Sequence, residues 1–158
     1  MHHQNLYDAY LTSDYVVTTP VGTVTLRADG PPVGDPAAVA VVSGRRVTVV
    51  TAWNPRSNMQ SPAANRAANA RLGRDMWARR WQWWDAVGRE RQAPGVDTRM
   101  DWSEDSYAVV DTDPEAVRQL AHSYGQNAVL VWDGAHGSIV WCEACLDPHC
   151  GVTGEGAS

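Results

Sequence analysis

Phenylalanine and lysine are both missing from this 158-residue chain: all 13 of its Lys+Arg positions are arginine, and its aromatic side chains are 8 tryptophans and 5 tyrosines. This skew is compositional and assigns no function. Cysteine is scarce as well. Its 3 residues, Cys142, Cys145 and Cys150, are odd in number and crowded near the C-terminal end, which excludes a disulfide framework and fits a reducing compartment. No apolar run approaches the roughly 18 residues of a membrane span. The start, Met1-His2-His3-Gln4, has neither the basic flank nor the apolar stretch of a signal peptide, so the expected location is the cytoplasm, with no membrane partner. Excess positive charge is missing too. A net charge of −5 weighs against general nucleic-acid binding, which depends on a positive field to displace counterions from phosphates. No phosphate-binding glycine loop, no nucleophile with its base and no complete metal motif is present.

What is present is the balance of an ordinary globular domain, 44% hydrophobic and 20% charged, in a chain long enough to bury roughly two-thirds of its unfolded surface. The pattern predicts one α+β domain over residues 1–147, followed by a flexible tail over 148–158. Leu6, Tyr7, Tyr10 and Leu11 recur at helical spacing and give a short opening helix. β-Branched runs at Asp14 to Thr19 and Thr23 to Ala28 flank Pro20-Val21-Gly22 and form a hairpin. Asp35 and Pro36 open a short helix that Gly44 ends, and Val47 to Trp53 is a doubly buried strand. Ser61 and Pro62 start a long helix whose spacing can be followed to about Val87. Ser106 to Val110 is a strand, Asp113 and Pro114 begin a helix ended by Gly125, and Asn127 to Trp132 with Ser138 to Cys142 closes the chain as a hairpin about Asp133-Gly134. The resulting expectation is a mixed β-sheet of about five to six strands with two main helices, joined by right-handed β-α-β crossovers.

The polar residues gather at strand ends. Thr51-Ala52-Trp53-Asn54-Pro55 closes one strand, and Asn65 and Asn69 follow one turn apart on the next helix. With Leu72, with Trp102, Glu104 and Ser106, and with Gly125-Gln126-Asn127-Ala128, this order resembles DUF3293, a bacterial family of unknown function, over Tyr10 to about Val140. The resemblance implies a small stand-alone domain and brings no activity with it. Trp77 to Arg91 and the cysteine-containing tail depart from the family pattern.

The leading expectation is a small polar ligand in a pocket lined by Trp53, Asn54, Asn65, Asn69, Glu104, Ser106, Gln126 and Asn127. Amides offer a donor pair and an acceptor, and an indole offers a stacking face. The plainer account is that the same amides satisfy loop backbone groups. Glu104 is the candidate acid or base, because a carboxylate entering a buried strand is desolvated, and His122 stands at the edge of an apolar stripe. Cys142, Cys145, His149 and Cys150 are four zinc-type ligands. A structural zinc is one reading of them and free thiols the other, since adjacent ligands must splay and no second knuckle is present. Finally, Pro62 to Arg91 holds seven arginines against Asp75, Asp85 and Glu90, and Trp77, Trp81 and Trp84 recur at one helical face. That face either packs on the sheet or docks an acidic protein partner.

Overall fold

The computed structural model describes residues 3–91 and 103–143. Its elements are α1 (His3–Leu11), β1 (Ser13–Thr19), β2 (Gly22–Leu26), β3 (Val33–Gly34), α2 (Pro36–Val42), β4 (Val47–Val50), α3 (Pro62–Ala78), β5 (Gln82–Glu90), β6 (Ser103–Val110), α4 (Pro114–Ser123), β7 (Ala128–Trp132) and β8 (Gly137–Trp141). A one-turn 3₁₀ segment, Pro55–Ser57, lies between β4 and α3. The strands form one 8-stranded sheet in the order β3-β2-β1-β5-β6-β4-β7-β8. Every ladder in it is antiparallel. The α+β class holds, but two to three strands more than expected are present, and every hydrogen-bonded ladder is antiparallel. Parallel crossovers do occur, each split by one antiparallel strand: β4 and β5, joined by α3, run the same way on either side of β6, and β6 and β7, joined by α4, run the same way on either side of β4. The crossover expected from Val47 to Ser106 is antiparallel instead, because β5 intervenes between α3 and β6. The expected tail over 148–158 lies outside the described residues.

The largest correction concerns residues 79–90. The helix from Pro62 stops at Ala78, where Arg80 takes a left-handed φ of 59° and the chain turns into β5. No glycine or proline marks that turn, which is why the helical spacing reads straight through it. Strand β5 fills the centre of the sheet between β1 and β6. Its Trp84, Ala86 and Gly88 point one way and Trp83, Asp85 and Val87 the other. The seven arginines therefore do not share a helix. Trp77, Trp81 and Trp84 share no face either: Trp77 is 76% exposed at the end of α3, whereas Trp84 packs on the core of the opposite face.

Two cores form, one on each face. The inner face buries Tyr15, Val17, Val24, Leu26, Val47, Val49, Leu130 and Trp132 against Ala38 and Val42 of α2. The outer face packs Val50, Val109 and Val129 against Ala68, Leu72 and Met76 of α3 and Val117, Leu120 and Ala121 of α4. Curling brings the ends of the sheet together, and a side chain at Gly137 would run into the Arg27 carbonyl. The Trp132 indole N–H donates to the Val42 carbonyl at 2.9 Å and fastens α2 inside the curl. At the other end, Tyr7 and Tyr10 of α1 lie on Trp141, with ring centres 6.1 and 5.7 Å apart.

Helix starts follow the expected chemistry with one exception. Ser61 accepts the Ala64 N–H at 3.1 Å and Asp113 accepts that of Glu115 at 3.1 Å. Asp35, read as a cap, instead accepts the Thr23 N–H at 3.1 Å and pins α2 to the β1–β2 hairpin. Among the described residues, no helix is long and apolar enough to cross a membrane.

Candidate functional site

Because β4, β6 and β7 are antiparallel neighbours, the C-terminal end of β4 lies beside the starts of β6 and β7. The three polar motifs meet there. Thr51 Oγ1 donates to the Asp105 carbonyl at 2.6 Å and accepts the Trp53 N–H at 3.1 Å. Asn69, buried on α3, accepts the Ala52 N–H at 2.7 Å through Oδ1 and donates Nδ2 to the Asp105 carbonyl at 2.7 Å. One side chain thus ties the exit of β4 to β6. Asn65, one turn earlier, accepts the Asn54 N–H at 2.8 Å and donates to Asn54 Oδ1 at 2.9 Å, while Asn54 Oδ1 accepts the Gln60 N–H at 3.0 Å.

The same loop is held from its far side. Gln126 donates to the Trp53 carbonyl at 3.1 Å, Asn127 donates to Ser57 Oγ at 2.9 Å, and the Arg56 N–H reaches the Gly125 carbonyl at 2.7 Å. These clamps hold Asn54, Arg56 and Ser57 at φ of 44°, 56° and 61°. Non-glycine residues in that left-handed region are uncommon and persist where surrounding contacts over-determine them. The amides therefore serve the backbone first, which was the plainer of the two sequence readings.

Six of the eight residues expected around one pocket border three recesses, and the other two border none of them. Trp53 and Asn69 line an outer groove of about 470 Å³, with Val16, Thr18, Arg66, Asp85, Val87, Asp105 and Tyr107. Glu104, Ser106 and Gln126 line an inner cavity of about 30 Å³ with Tyr10, Tyr15 and Gly88. Gln126 and Asn127 also border a surface cleft with Arg56, His122 and Glu143. Asn54 and Asn65 line none of the three and act within the loop. Along β6 the side chains of Glu104 and Ser106 alternate with those of Asp105 and Tyr107, so Glu104 borders the cavity and Asp105 and Tyr107 the groove, while Ser106 borders both.

Glu104 stands opposite Gly88, whose missing side chain leaves the cavity its space. Among the described residues its carboxyl has no hydrogen-bond or ion-pair partner, and burial pushes it up to about 7. Burial and the nearby Glu104 charge also raise the Tyr10 phenol to about 12. The cavity has room for little more than a water or two. His122 is exposed, with Nε2 3.5 Å from Glu143 Oε1. Cys142 is buried and its thiol is pushed up to about 11 by burial, so it stays protonated at neutral pH. Cys145, His149 and Cys150, the other expected zinc ligands, lie outside the described residues, as does Trp102.

Sequence reading missed Arg66, Asp85, Tyr107 and Asp105 as groove residues. Alternation through Trp83, Asp85 and Val87 was the available signal, but the helical reading of that stretch masked it.

The polar network coincides with the family match. The family described as "Protein of unknown function (DUF3293)" matches residues 50–129, from the last residue of β4 to Val129 in β7. The chain belongs to this family. No curated protein and no solved structure matches it. The DUF3293 match takes in both clamps on the loop, Asn65 and Asn69 on one side and Gln126 and Asn127 on the other, together with Glu104 and most of the outer groove.

Proposed function

We propose that this DUF3293 chain binds a small polar molecule in the outer groove between α3 and the outer face of β1, β5 and β6. The observation that carries the reading is the groove itself, whose volume of about 470 Å³ falls in the range of small-molecule sites. It has an aromatic wall, an apolar floor and charges of both signs. It is also preorganised. The Tyr107 hydroxyl donates to the Asn69 carbonyl at 2.7 Å and fixes α3 on β6, while Thr51 and Gln126 hold the backbone of Trp53 at 3.1 Å each. Preorganised walls lower the ordering cost of binding. A thermal-shift screen against nucleotides, amino acids and sugars tests the reading, since a ligand of the folded state raises its unfolding midpoint. A hit should lose its effect in Trp53→Ala and in the exposed variant Arg66→Ala. Hits indifferent to both changes, or no hit at all, would sink the groove reading.

A second reading rests on Trp77, which lies 76% exposed beside Arg80 and Trp81 at the turn into β5. An exposed indole among arginines suits an acidic protein segment. Titration with a poly-glutamate peptide should then shift the Trp77 indole resonance, and an unmoved resonance removes this reading.

A further inference from the structure

The register of the outer face fixes which groups share the groove. Across β1, β5 and β6, Thr18 stands beside Asp85 and Asp85 beside Tyr107; in the next row Val16 stands beside Val87 and Val87 beside Asp105. Paired residues share a face, so two valines form an apolar floor with a carboxylate at each of two diagonal corners. Such diagonal neighbours on adjacent strands lie roughly 7–8 Å apart at the backbone. Both acids act on the same spot, since burial and then the charges of Asp85 and Asp105 raise the Tyr107 phenol. Arg66 enters from the opposite wall, one turn before Asn69 on α3. Among the described residues, none of Asp85, Asp105 and Arg66 has an ion-pair partner, although all three line one recess. Like charges held on neighbouring strands repel, and among the described residues no cation pairs with either of them. Negative charge on the strands and positive charge on the helix, with Trp53 also lining the recess, make a groove polarised across its width.

Resting on the groove reading above, we propose that the ligand is a zwitterion of the free α-amino acid class. Its ammonium group is held by Asp85 and Asp105, its carboxylate by Arg66, and its side chain lies against Trp53 and the Val16–Val87 floor. A neutral sugar would leave both signs of charge unused. A nucleotide would set its phosphates against two carboxylates, since like-charge contacts discriminate strongly against a wrong partner. Charge-assisted hydrogen bonds to a guanidinium and to carboxylates are the stronger kind, so blocking either end of the ligand has a measurable consequence.

The test uses the full chain and proton–nitrogen correlation spectra. Each common free L-amino acid is titrated, and any that binds is compared with its N-acetyl derivative and its carboxamide. At least one free amino acid should shift the Trp53 indole and the Val16 and Val87 amides. Its two blocked forms should bind at least about tenfold more weakly, equivalent to about 1.4 kcal/mol. Asp85→Asn, Asp105→Asn and Arg66→Gln should weaken binding to a similar degree, with unchanged unfolding midpoints because all three residues are exposed. A blocked form or a charge variant that binds as tightly as the parent overturns the zwitterion and leaves the groove standing. So does a groove that shifts with a sugar or nucleotide from the screen and with no amino acid. If nothing in either panel moves the groove resonances, both proposals fall.

Discussion

Replacing Glu104 with Gln removes a charge without changing the shape of the side chain, and the structure fixes the sign of the result. In the folded protein burial pushes the Glu104 carboxyl up from 4.5 to about 7, because it disfavours the ionised form and no described residue offers a compensating hydrogen bond or charge. The groups facing it, Tyr10 and Tyr15, are phenols that stay neutral throughout this range. The folded state therefore holds this proton more tightly than the unfolded chain does. Its contribution to stability is fully present below about pH 4.5, declines as the pH rises through about 7, and is absent above that. Moving a carboxyl across that interval corresponds to about 3 kcal/mol as an upper limit. Glu104→Gln should thus match the parent protein at about pH 4 and exceed its stability by up to about 3 kcal/mol at about pH 8. Urea unfolding of both proteins at half-unit pH steps measures this, and subtracting one curve from the other cancels every other titrating group. A difference that stays flat between about pH 4.5 and about pH 7, or a variant less stable than the parent at about pH 8, would refute the reasoning and mean that the ionised carboxylate has a partner.

Asn69→Ala should lower stability by about 1–3 kcal/mol, since it leaves the buried Ala52 N–H without its acceptor; Asn65→Ala should do the same through the Asn54 N–H, and denaturant midpoints give both values. Gly88→Ala should be neutral or raise stability by up to about 1 kcal/mol. A side chain there would meet the Tyr15 ring at 3.8 Å and Ser106 Oγ at 3.9 Å, both ordinary contacts, and a fall in melting temperature would show that the cavity is occupied by something the methyl displaces.

Local signals carried a good part of this architecture. Pro36, Pro62 and Pro114 at helix starts act within one turn, and so do Gly44 and Gly125, which take φ of 75° and 74° where left-handed caps were expected. The convergence of Trp53, Asn65 and Asn69 was legible for the same reason, being a single strand-to-helix connection. Amide side chains in such a connection have few backbone groups within reach, and they bind those. What the tertiary structure alone decided was long-range. Arg80 reverses the chain with no glycine or proline to announce it, because the sheet had a central place between β1 and β6 and filling it outweighed the helical spacing of Trp77, Trp81 and Trp84. Pairing partners are set by burial on both faces of the finished sheet and leave no mark on local periodicity, so the strand that separates each parallel pair, and with it a set of ladders all antiparallel, could not be read from the β-α alternation. The sorting of the polar residues into groove, cavity and loop clamp followed from that order. Neighbouring residues of β6 point to opposite faces, and the curl of the sheet set Glu104 and Asp105 in different environments one residue apart.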